Sequence, residues 1–386
     1  MQKLQQIARK EERTVLGLMS GTSMDGLDIA LCRFTGSGAE TSFVLDHFVS
    51  IPYDEETRQP LLALANAPCP DPEQLCIWNT YLAHVHADMV NEALQQWGRK
   101  SAEVDLLASH GQTIHHAPRH KHRRDGMPNA TFQIGDGDHL AHRTGIITIS
   151  DFRQRDTARG NEGAPLAAFG DYLLFRPATM TRILLNIGGI ANFTLLRPEE
   201  HRMPPFATDT GPGNTLIDAA TSHYFEGLAY DKDGGLAAYG RPDPNLLSLL
   251  KAHPYFERNA PKTTGFEMFH MDWVHECMEA AGFDRPAEDL LATLTRFTAG
   301  TISTGIRKVL HEGEKAEVFV SGGGIHNRVL MEQLTDDLSP LPVRTTKEIG
   351  MDEDAKEAVL FAALANELIC GEDPRLHFGK ISLTDH

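Results

Sequence analysis

Apolar and polar residues alternate in two short runs near the start of the chain, and a period of two predicts β-strands. The first run is Thr14–Met19 and the second is Leu27–Phe34, and the polar turn Ser20–Gly26 joins them. The next run with strand character is Ser42–Ile51. We therefore predict a hairpin with a glycine-bearing turn, followed by a third strand.

The rest of the first half reads as helices and strands in succession. Apolar residues three or four apart predict helices, and short apolar runs predict strands. The predicted helices are Asp54–Leu64, Asp71–Trp97, a short helix capped by Asp138, and Leu166–Phe175. The predicted strands are Val104–Ala108, Thr131–Ile134 and Ile146–Ser150.

The second half opens with the same device as the first, which is a strand, a glycine turn and a strand. Arg182–Asn186 is a predicted strand, and the pair Gly188–Gly189 between apolar runs predicts a hairpin. The further predicted elements are the strands Pro205–Thr208, Val318–Val320 and Val343–Thr345, and the helices Asn214–Phe225 (capped by Asn214), Glu288–Leu310 (interrupted at Gly300), Arg328–Leu334 and Glu353–Leu368. Residues 229–272 are rich in Pro, Gly and Asp and are predicted to be irregular.

The repeated device predicts two related α/β domains that face a shared cleft, with their junction at Arg176–Ala178. A chain of 386 residues is long enough for two domains with separate cores. We assign residues 12–178 to the first domain and residues 179–350 to the second, and the helix at 352–370 is expected to join the first domain.

Composition narrows the classes of partner. The chain has 36 basic and 53 acidic residues, a net charge of −17, which argues against nucleic acid or an anionic membrane as the main partner. Five cysteines without a CxxC pair indicate a reducing compartment. The polar N-terminus and the lack of a long apolar run predict a cytoplasmic protein.

Three glycine-bearing turns follow predicted strands, and the first of them is a candidate for binding an anion through backbone N–H groups. Residues 21–26 do not match the Walker motif, because no Lys follows the glycines and a strand leaves the turn. An ordinary hairpin is the alternative there. The other two turns are Gly188–Gly189 and Gly322–Gly324, and the second would let a flat ring lie against the backbone.

Several polar residues follow predicted strands, where α/β folds place ligands. His110, Gln112 and Thr113 follow Val104–Ala108, and the histidines that come after them read as a solvated loop rather than a metal site. Two acids and two arginines between 151 and 156 form either a surface ion-pair network or the wall of a sugar site. Asp209 follows a predicted strand, ahead of a glycine turn and a helix N-terminus, and is either a catalytic group, an acid at the helix N-terminus or a turn acid.

Taken together, the motifs MSGTSMDGLD, SHGQT, QIGD, DFRQRD, EGAPL, LNIGGIAN, DTGPGN, PYF…PKTTG and VSGGG resemble those of the anhydro-N-acetylmuramic acid kinase family. They occur in order from about residue 15 to residue 370. The resemblance implies the sugar kinase, Hsp70 and actin superfamily, with two ribonuclease-H-like domains flanking a central cleft. One departure is Asn161–Glu162, where the family commonly has Gly-Gln, and this leaves the choice of sugar open.

The resemblance also implies an activity and a set of site residues. The activity is ATP-dependent opening of 1,6-anhydro-N-acetylmuramic acid with phosphorylation of O6, in the recycling of cell-wall sugar. Asp209 is the implied base, with Glu357 as a supporting carboxylate, and Asp25 lies near Mg²⁺. Nucleotide contacts are expected from Gly21, Thr22, Ser23, Met24, Asp25, Gly26, Leu27, Asp28, Asn186, Gly188, Gly189, Gly211, Gly213, Gly322, Gly323, Gly324 and Asn327. Sugar contacts are expected from His110, Gln112, Thr113, Asp151, Arg155 and Asp156.

Two other functions fit parts of the pattern. The first is a kinase of another anhydro-sugar such as levoglucosan, and the second is a nucleotide-driven protein of the actin or Hsp70 type that is not a kinase. We expect a small anhydro-sugar as partner, with ATP and Mg²⁺, no nucleic acid and no membrane. A homodimer stays open as an oligomeric state.

Overall fold

The structure is a computed structural model that describes residues 2–21, 23–67, 69–163, 166–177, 179–198, 205–265, 268–352 and 354–384. The chain divides into two compact units. Unit 1 comprises residues 1–174 and 354–386, and unit 2 comprises residues 175–353. Unit 1 is thus discontinuous in sequence, because the chain leaves it, forms unit 2 and returns.

Twelve strands are present in the described residues, and they form one sheet in each unit. They are β1 (Glu12–Ser20), β2 (Gly26–Thr35), β3 (Ser42–Pro52), β4 (Leu106–Ala117), β5 (Ala130–Ile134), β6 (Thr148–Ser150), β7 (Thr181–Ile187), β8 (Ile190–Leu196), β9 (Phe206–Pro212), β10 (Ala316–Ser321), β11 (Val343–Thr345) and β12 (Lys380–Ser382).

The two sheets share one topology. In unit 1 the order is β12-β6-β4-β1-β2-β3, with β5 on β4, and in unit 2 it is β11-β10-β7-β8-β9. In each sheet the first three strands of the unit pair antiparallel in sequence order, and the first strand then pairs parallel with a later one. This is the arrangement expected of two ribonuclease-H-like domains. The prediction of an α/β fold built from two such sheets is confirmed.

Thirteen α-helices occur in the described part of the chain, and none of them is long and apolar enough to cross a membrane. They are α1 (Gln2–Ala8), α2 (Glu55–Asn66), α3 (Pro72–Gln96), α4 (Arg119–His122), α5 (Gly137–Thr144), α6 (Phe152–Ala158), α7 (Leu166–Phe175), α8 (Thr215–Tyr224), α9 (Pro244–Lys251), α10 (Met271–Ala281), α11 (Ala287–Val309), α12 (Arg328–Leu338) and α13 (Lys356–Cys370).

Helix α13 completes the core of unit 1. It lies so close to β1 that a Cβ on Gly17 would come within 1.9 Å of the Ala358 carbonyl oxygen, so only glycine fits there. Ten consecutive residues of the helix, 358–367, are buried. Arg13 on β1 donates from Nε to Asn366 Oδ1 at 2.6 Å. The return of the chain after unit 2 therefore supplies a central element of unit 1.

Several predicted boundaries in unit 1 are wrong. β4 does not end at Ala108 but continues to Ala117, because residues 112–117 pair with β5. Asp136, rather than Asp138, caps α5 by accepting from the N–H groups of Asp138 and His139. Residues 152–158 form helix α6, which the sequence pattern does not predict. β12 was not predicted at all.

Unit 2 differs from the prediction in a similar way. β9 continues through Asp209 to Pro212, so Asp209 is a strand residue and not a turn residue. Asn214 stands at the cap position of α8, but its side chain donates to the Ile187 carbonyl and does not cap. Helix α11 is continuous through Gly300. The stretch 229–272, predicted to be irregular, contains α9.

Candidate active site

A chain of hydrogen-bonded, buried side chains holds the turn between β1 and β2 in place. Ser20 Oγ lies 2.5 Å from Gln112 Oε1, Tyr53 OH lies 2.8 Å from Ser20 Oγ, and His86 Nε2 lies 2.6 Å from Tyr53 OH. Gln112 Nε2 in turn donates to the Gly21 carbonyl at 3.1 Å. The turn is therefore tied to β4, β3 and α3 at once.

Only one arrangement of protons satisfies this chain. The amide oxygen of Gln112 can only accept, so Ser20 donates to it and Tyr53 donates to Ser20. His86 must then donate from Nε2 to Tyr53 and remain neutral. Complete burial favours the neutral form and lowers the pKa of His86 to about 3. We call the group His86–Tyr53–Ser20–Gln112 the turn relay.

The turn itself departs from the expected backbone. Glycine was expected to supply a positive φ, but neither Gly21 nor Gly26 has one, and Met24 has φ 52° instead. Gly26 is required by close packing, since a Cβ there would lie 2.4 Å from the Ile51 carbonyl oxygen. Leu27 points into the core and is 1% exposed. Thr22 lies outside the described residues.

Acidic side chains surround this turn. Asp25 is exposed and accepts from Ser23 Oγ at 2.9 Å. Burial raises the pKa of Asp28, and the charges of Asp25 and Asp354 add to the rise. Desolvation by the surrounding atoms also raises the pKa of Glu357 on α13, although part of its surface remains exposed. A cation would relieve this repulsion.

These carboxylates do not by themselves define a metal centre. Within the described residues, no group of three or more His, Cys, Asp or Glu side chains is arranged to hold a metal ion. Oxygen donors such as Asp25 and Asp28 nevertheless suit Mg²⁺, which commonly takes one or two carboxylates and completes its shell with phosphate and water. The prediction of a metal at Asp25 stays a prediction.

The polar residues after Ala108 gather around Arg153, which the sequence did not single out. Arg153 donates from Nε to His110 Nε2 at 2.9 Å and from Nη1 to the Gly163 carbonyl at 2.7 Å. His110 Nδ1 donates to the Gly111 carbonyl at 2.9 Å. Burial, followed by the charge of Arg153, lowers the pKa of His110 to about 3, so the imidazole is neutral.

The other residues that are expected to contact the sugar lie in different surroundings. Asp156 is buried and accepts from Asn161 Nδ2 and Gly163 N, both at 2.9 Å, so it shapes the loop that carries Asn161 and Glu162. Asp151 pairs with Lys380 at 2.6 Å. Thr113 accepts from Gln133, and Arg155 is exposed. All of these residues belong to unit 1, and their contacts with a sugar stay predictions.

In unit 2 the glycine turns meet at one end of the sheet. A Cβ on Gly213 would lie 2.2 Å from the Gly188 carbonyl oxygen, and a Cβ on Gly324 would lie 2.3 Å from Ile187 Cγ2. Gly189 accepts from the Gly213 N–H at 2.8 Å. The predicted turns at 188–189 and 322–324 thus lie together with the turn that follows β9.

The remaining expected nucleotide residues belong to the same end of the sheet. Gly322 has φ 85°, and a Cβ there would lie 2.6 Å from Asn186 Oδ1. Gly211 also has a positive φ of 141°. Gly323 is exposed beside the Asn214 amide. Asn327 caps α12 by accepting from the Leu330 N–H at 3.0 Å.

Strand register places three polar side chains in a row across unit 2. Asn186 on β7 pairs with Asn192 on β8, and Asn192 pairs with Asp209 on β9. Directly paired residues share one face of a sheet. Asp209 therefore projects from the face that carries Asn186 and Asn192, next to the glycine turns.

Asp209 has the properties of a base held in place. Its Oδ2 accepts from the Thr264 N–H at 2.8 Å, and its own N–H donates to the Lys262 carbonyl at 2.9 Å. Burial raises the pKa of Asp209, and the Thr264 hydrogen bond only partly opposes the rise. A buried carboxylate with one fixed hydrogen bond retains oxygen lone pairs for a proton.

Sequence reasoning missed two residues of this region. Asn192 could have been found by aligning the strands around the Gly188–Gly189 hairpin, because the two-residue turn sets their register. Arg153 could have been separated from Arg155 only by knowing that residues 152–158 are helical, since two positions along a helix turn a side chain to another direction.

The two sheets and their glycine turns define the class of fold, an α/β protein with two ribonuclease-H-like domains. Comparison with known proteins identifies the family. The family model described as "AnmK: Anhydro-N-acetylmuramic acid kinase" matches residues 13–375. The chain belongs to the anhydro-N-acetylmuramic acid kinase family, and the predictions of family and of a kinase are confirmed.

Individual relatives agree with this assignment. The anhydro-N-acetylmuramic acid kinase of Pseudoalteromonas atlantica is 43% identical over 398 residues, covering 100% of this chain and 99% of that protein. The protein of the same name from Caldanaerobacter subterraneus is 38% identical and covers 96% of this chain and 94% of its own. Among solved structures, a 2-hydroxyisocaproyl-CoA dehydratase activator from Clostridium difficile covers 92% of this chain and 95% of its own at 10% identity, with a TM-score of 0.43, too low to bear on function.

Proposed function

We propose that this protein is an ATP-dependent kinase that opens 1,6-anhydro-N-acetylmuramic acid with water and transfers the γ-phosphoryl group to O6. The products are N-acetylmuramic acid 6-phosphate and ADP, and the role is recycling of cell-wall sugar. Membership of the family supports the substrate. The observation that carries the chemistry is the half-buried Asp209, with its raised pKa, beside Asn186 and Asn192.

The anhydro bridge explains why such a site needs a base. The sugar has no free 6-hydroxyl, so the C1–O6 bond must break before or while O6 accepts phosphate. Asp209 takes a proton from water as the water oxygen forms a bond to C1. The electron pair of the C1–O6 bond passes to O6, which bonds to the γ-phosphorus, and the bond from phosphorus to ADP breaks. Asn186 and Asn192 can orient the water or the departing oxygen.

The glycine turns and the acidic residues of unit 1 have separate roles in binding. Backbone N–H groups in the turn at 21–26 and near Gly188–Gly189 hold phosphate oxygens, and Gly322–Gly324 holds the adenosine. Asp25, with Asp28 beside it, would hold Mg²⁺, which neutralises phosphate charge when bound. Glu357 supports this region as a second carboxylate.

On the sugar side, Arg153 and its partners supply a fixed donor. Two N–H groups of the Arg153 guanidinium already donate to His110 and to the Gly163 carbonyl, which leaves N–H groups on the other edge for an anionic substituent. N-acetylmuramic acid carries a carboxylate, whereas levoglucosan does not. The arrangement thus favours the muramic sugar over an uncharged anhydro-sugar.

The test is product analysis by ¹H and ³¹P NMR after mixing ATP, Mg²⁺ and the anhydro-sugar. We expect a free anomeric proton and a 6-phosphate to appear together in equal amounts, without unphosphorylated N-acetylmuramic acid. Levoglucosan serves as the comparison substrate, and faster turnover of levoglucosan would overturn the substrate proposal. ATP consumption that is independent of any sugar would indicate a nucleotide-driven protein that is not a kinase.

A further inference from the structure

A cavity in unit 2 lies against α11, on the face of the sheet opposite to the Asn186 and Asn192 side chains, and Asp209 is among the residues that line it. It measures about 720 Å³ and is bounded by β8, β9, α11 and the segment 256–262. Thr208 and Thr210 line it, and Thr210 contacts α11, since a Cβ on Gly305 would lie 3.0 Å from Thr210 Cγ2. Side chains alternate along a strand, so the carboxylate of Asp209 projects from the other face.

The cavity is basic in a strongly acidic protein. Five basic residues line it, although the chain as a whole has a net charge of −17. Arg197 is neutralised by an ion pair with Glu314 at 2.7 Å. The other four basic residues form no ion pair within the described part of the chain, and they are Lys251, Arg258, Lys262 and Lys308. Glu257 is the acid that partly offsets them.

These cations repel one another. Burial lowers the pKa of Lys262, and the charges of Lys308 and Arg258 lower it further. Lys262 is held over the ring of Tyr255 at 4.1 Å and donates to the Tyr255 carbonyl at 2.9 Å. Unpaired cations that converge on one cavity are stabilised by a multiply charged anion, because each positive charge then gains a partner.

The remaining walls suit an organic ligand. Phe206 and Phe256 offer flat apolar surfaces, and Thr208, Thr301 and Thr304 offer hydroxyl groups. Aromatic faces with nearby hydroxyls and a cluster of cations match the ring, the hydroxyls and the phosphate of a sugar phosphate. We propose that this cavity is a second binding site, on the face of β9 opposite to the Asp209 carboxylate, for a phosphorylated sugar-sized metabolite.

Occupancy of this cavity can act on Asp209 through the segment 256–264. Lys262 lies in the cavity wall, and its carbonyl accepts from the Asp209 N–H. Two residues later the Thr264 N–H donates to Asp209 Oδ2. A phosphate that orders Lys262 would therefore also order the group that holds Asp209. The binding site is independent of the proposed function, and only this coupling rests on it.

The test is isothermal titration calorimetry of the full chain with glucose 6-phosphate as probe, without nucleotide. We expect one bound molecule per chain and an affinity that falls about tenfold in Lys251→Gln/Lys308→Gln, since two exposed charges are lost. Lys315→Gln is the matched control, because Lys315 is exposed on the same unit but does not line the cavity. Its affinity should equal that of the wild type.

A further variant separates this cavity from the glycine turns. Asn186→Ala should leave the affinity unchanged. If Asn186→Ala weakens binding and the double lysine variant does not, the phosphate binds at the glycine turns and the proposal is wrong. Absence of binding by the wild type at millimolar probe also overturns it. For the coupling, bound probe should slow amide hydrogen exchange across residues 259–265, and unchanged exchange would refute that part alone.

Discussion

Asp209 is a half-buried carboxylate, and its proposed role as a base has a cost in stability. Its folded-state pKa is raised above the ordinary 3.8, so the protonated form is favoured in the fold. Protonated Asp209 therefore makes its full contribution to the free energy of unfolding below the pKa that it has in the unfolded chain. This contribution is lost as the pH rises through its pKa in the folded protein. At neutral pH the ionised Asp209 destabilises the protein, and the ionised form is the one that the proposed role as a base requires.

Asp209→Asn tests both sides of this trade. The amide keeps the shape and can still accept from the Thr264 N–H, but it cannot take a proton. We expect turnover to fall by roughly 10²–10⁴-fold, with nucleotide affinity unchanged and the free energy of unfolding at pH 7 equal or higher. The wild type should lose activity as the pH falls through the raised pKa. Near-normal turnover in the variant would exclude Asp209 as the base.

The role of Arg153 can be tested with Arg155, a second arginine two residues along the chain, as the control. Arg153→Lys cannot satisfy both His110 and the Gly163 carbonyl, because an ammonium group lacks the planar fork. Each lost charge-assisted hydrogen bond is worth about 1.5–3 kcal/mol, so kcat/KM for the sugar should fall at least tenfold. Arg155→Lys, two residues along and exposed, should change little. Equal effects in steady-state kinetics would contradict a special role for Arg153.

At the scale of elements, the turn relay connects α3 and β3 to the turn between β1 and β2. Tyr53→Phe removes the hydroxyl and leaves the His86 N–H without an acceptor in a buried site. We expect the free energy of unfolding to fall by about 1–3 kcal/mol, and KM for ATP to rise. Urea unfolding and steady-state kinetics measure the two effects. Tyr81→Phe on the exposed side of α3 is the control. If Tyr53→Phe lowers the stability without changing KM for ATP, the turn relay is only structural.

The glycine turn after β10 offers a cleaner comparison. Gly322→Ala and Gly313→Ala both place a side chain at positive φ, 85° and 76° respectively. Gly313 has open space, whereas a Cβ on Gly322 meets Asn186 Oδ1 at 2.6 Å. Positive φ strains the backbone in both variants, and Gly322, at ψ 170°, also lies in a region that is essentially restricted to glycine. Gly322→Ala should lose additional stability and nucleotide affinity, as read by thermal unfolding and calorimetry. Equal losses would mean that the close approach to Asn186 has no effect.

Helices and strands with a strong hydrophobic periodicity could be predicted from the sequence. Strands whose extent is set by pairing with a neighbouring strand could not. The hairpins at both domain starts follow from alternation and glycine. The continuation of β4 through Ser109–Thr113 could not be read from composition, because Ser109 is held in the strand by pairing with β1, and Gln112 and Thr113 by pairing with β5. The same holds for Asp209, which β8 keeps in a strand. Candidate residues can be chosen from the sequence by their type, but their grouping depends on strand register.

At the scale of the whole molecule, unit 1 is built from two separated parts of the sequence. A chain that ends after Ile349 lacks α13 and β12, so β1 loses its cover, and Asp171 loses its ion pair with Lys356. We expect this truncated chain to lose cooperative unfolding of unit 1, with rapid proteolysis of residues 1–174, while unit 2 stays protected. A chain that lacks only the last three residues is the control. Intact cooperative unfolding of unit 1 in the longer truncation would contradict a central role for α13.

The discontinuity of unit 1 also has a consequence for biosynthesis. About 180 residues separate the two parts of this unit, and at 5–20 residues per second a ribosome takes roughly 10–40 s to add them. During that interval β1 through β6 have emerged but cannot bury the surface that α13 will cover. Nascent unit 1 must therefore wait, exposed to aggregation and to chaperones, until unit 2 has been translated.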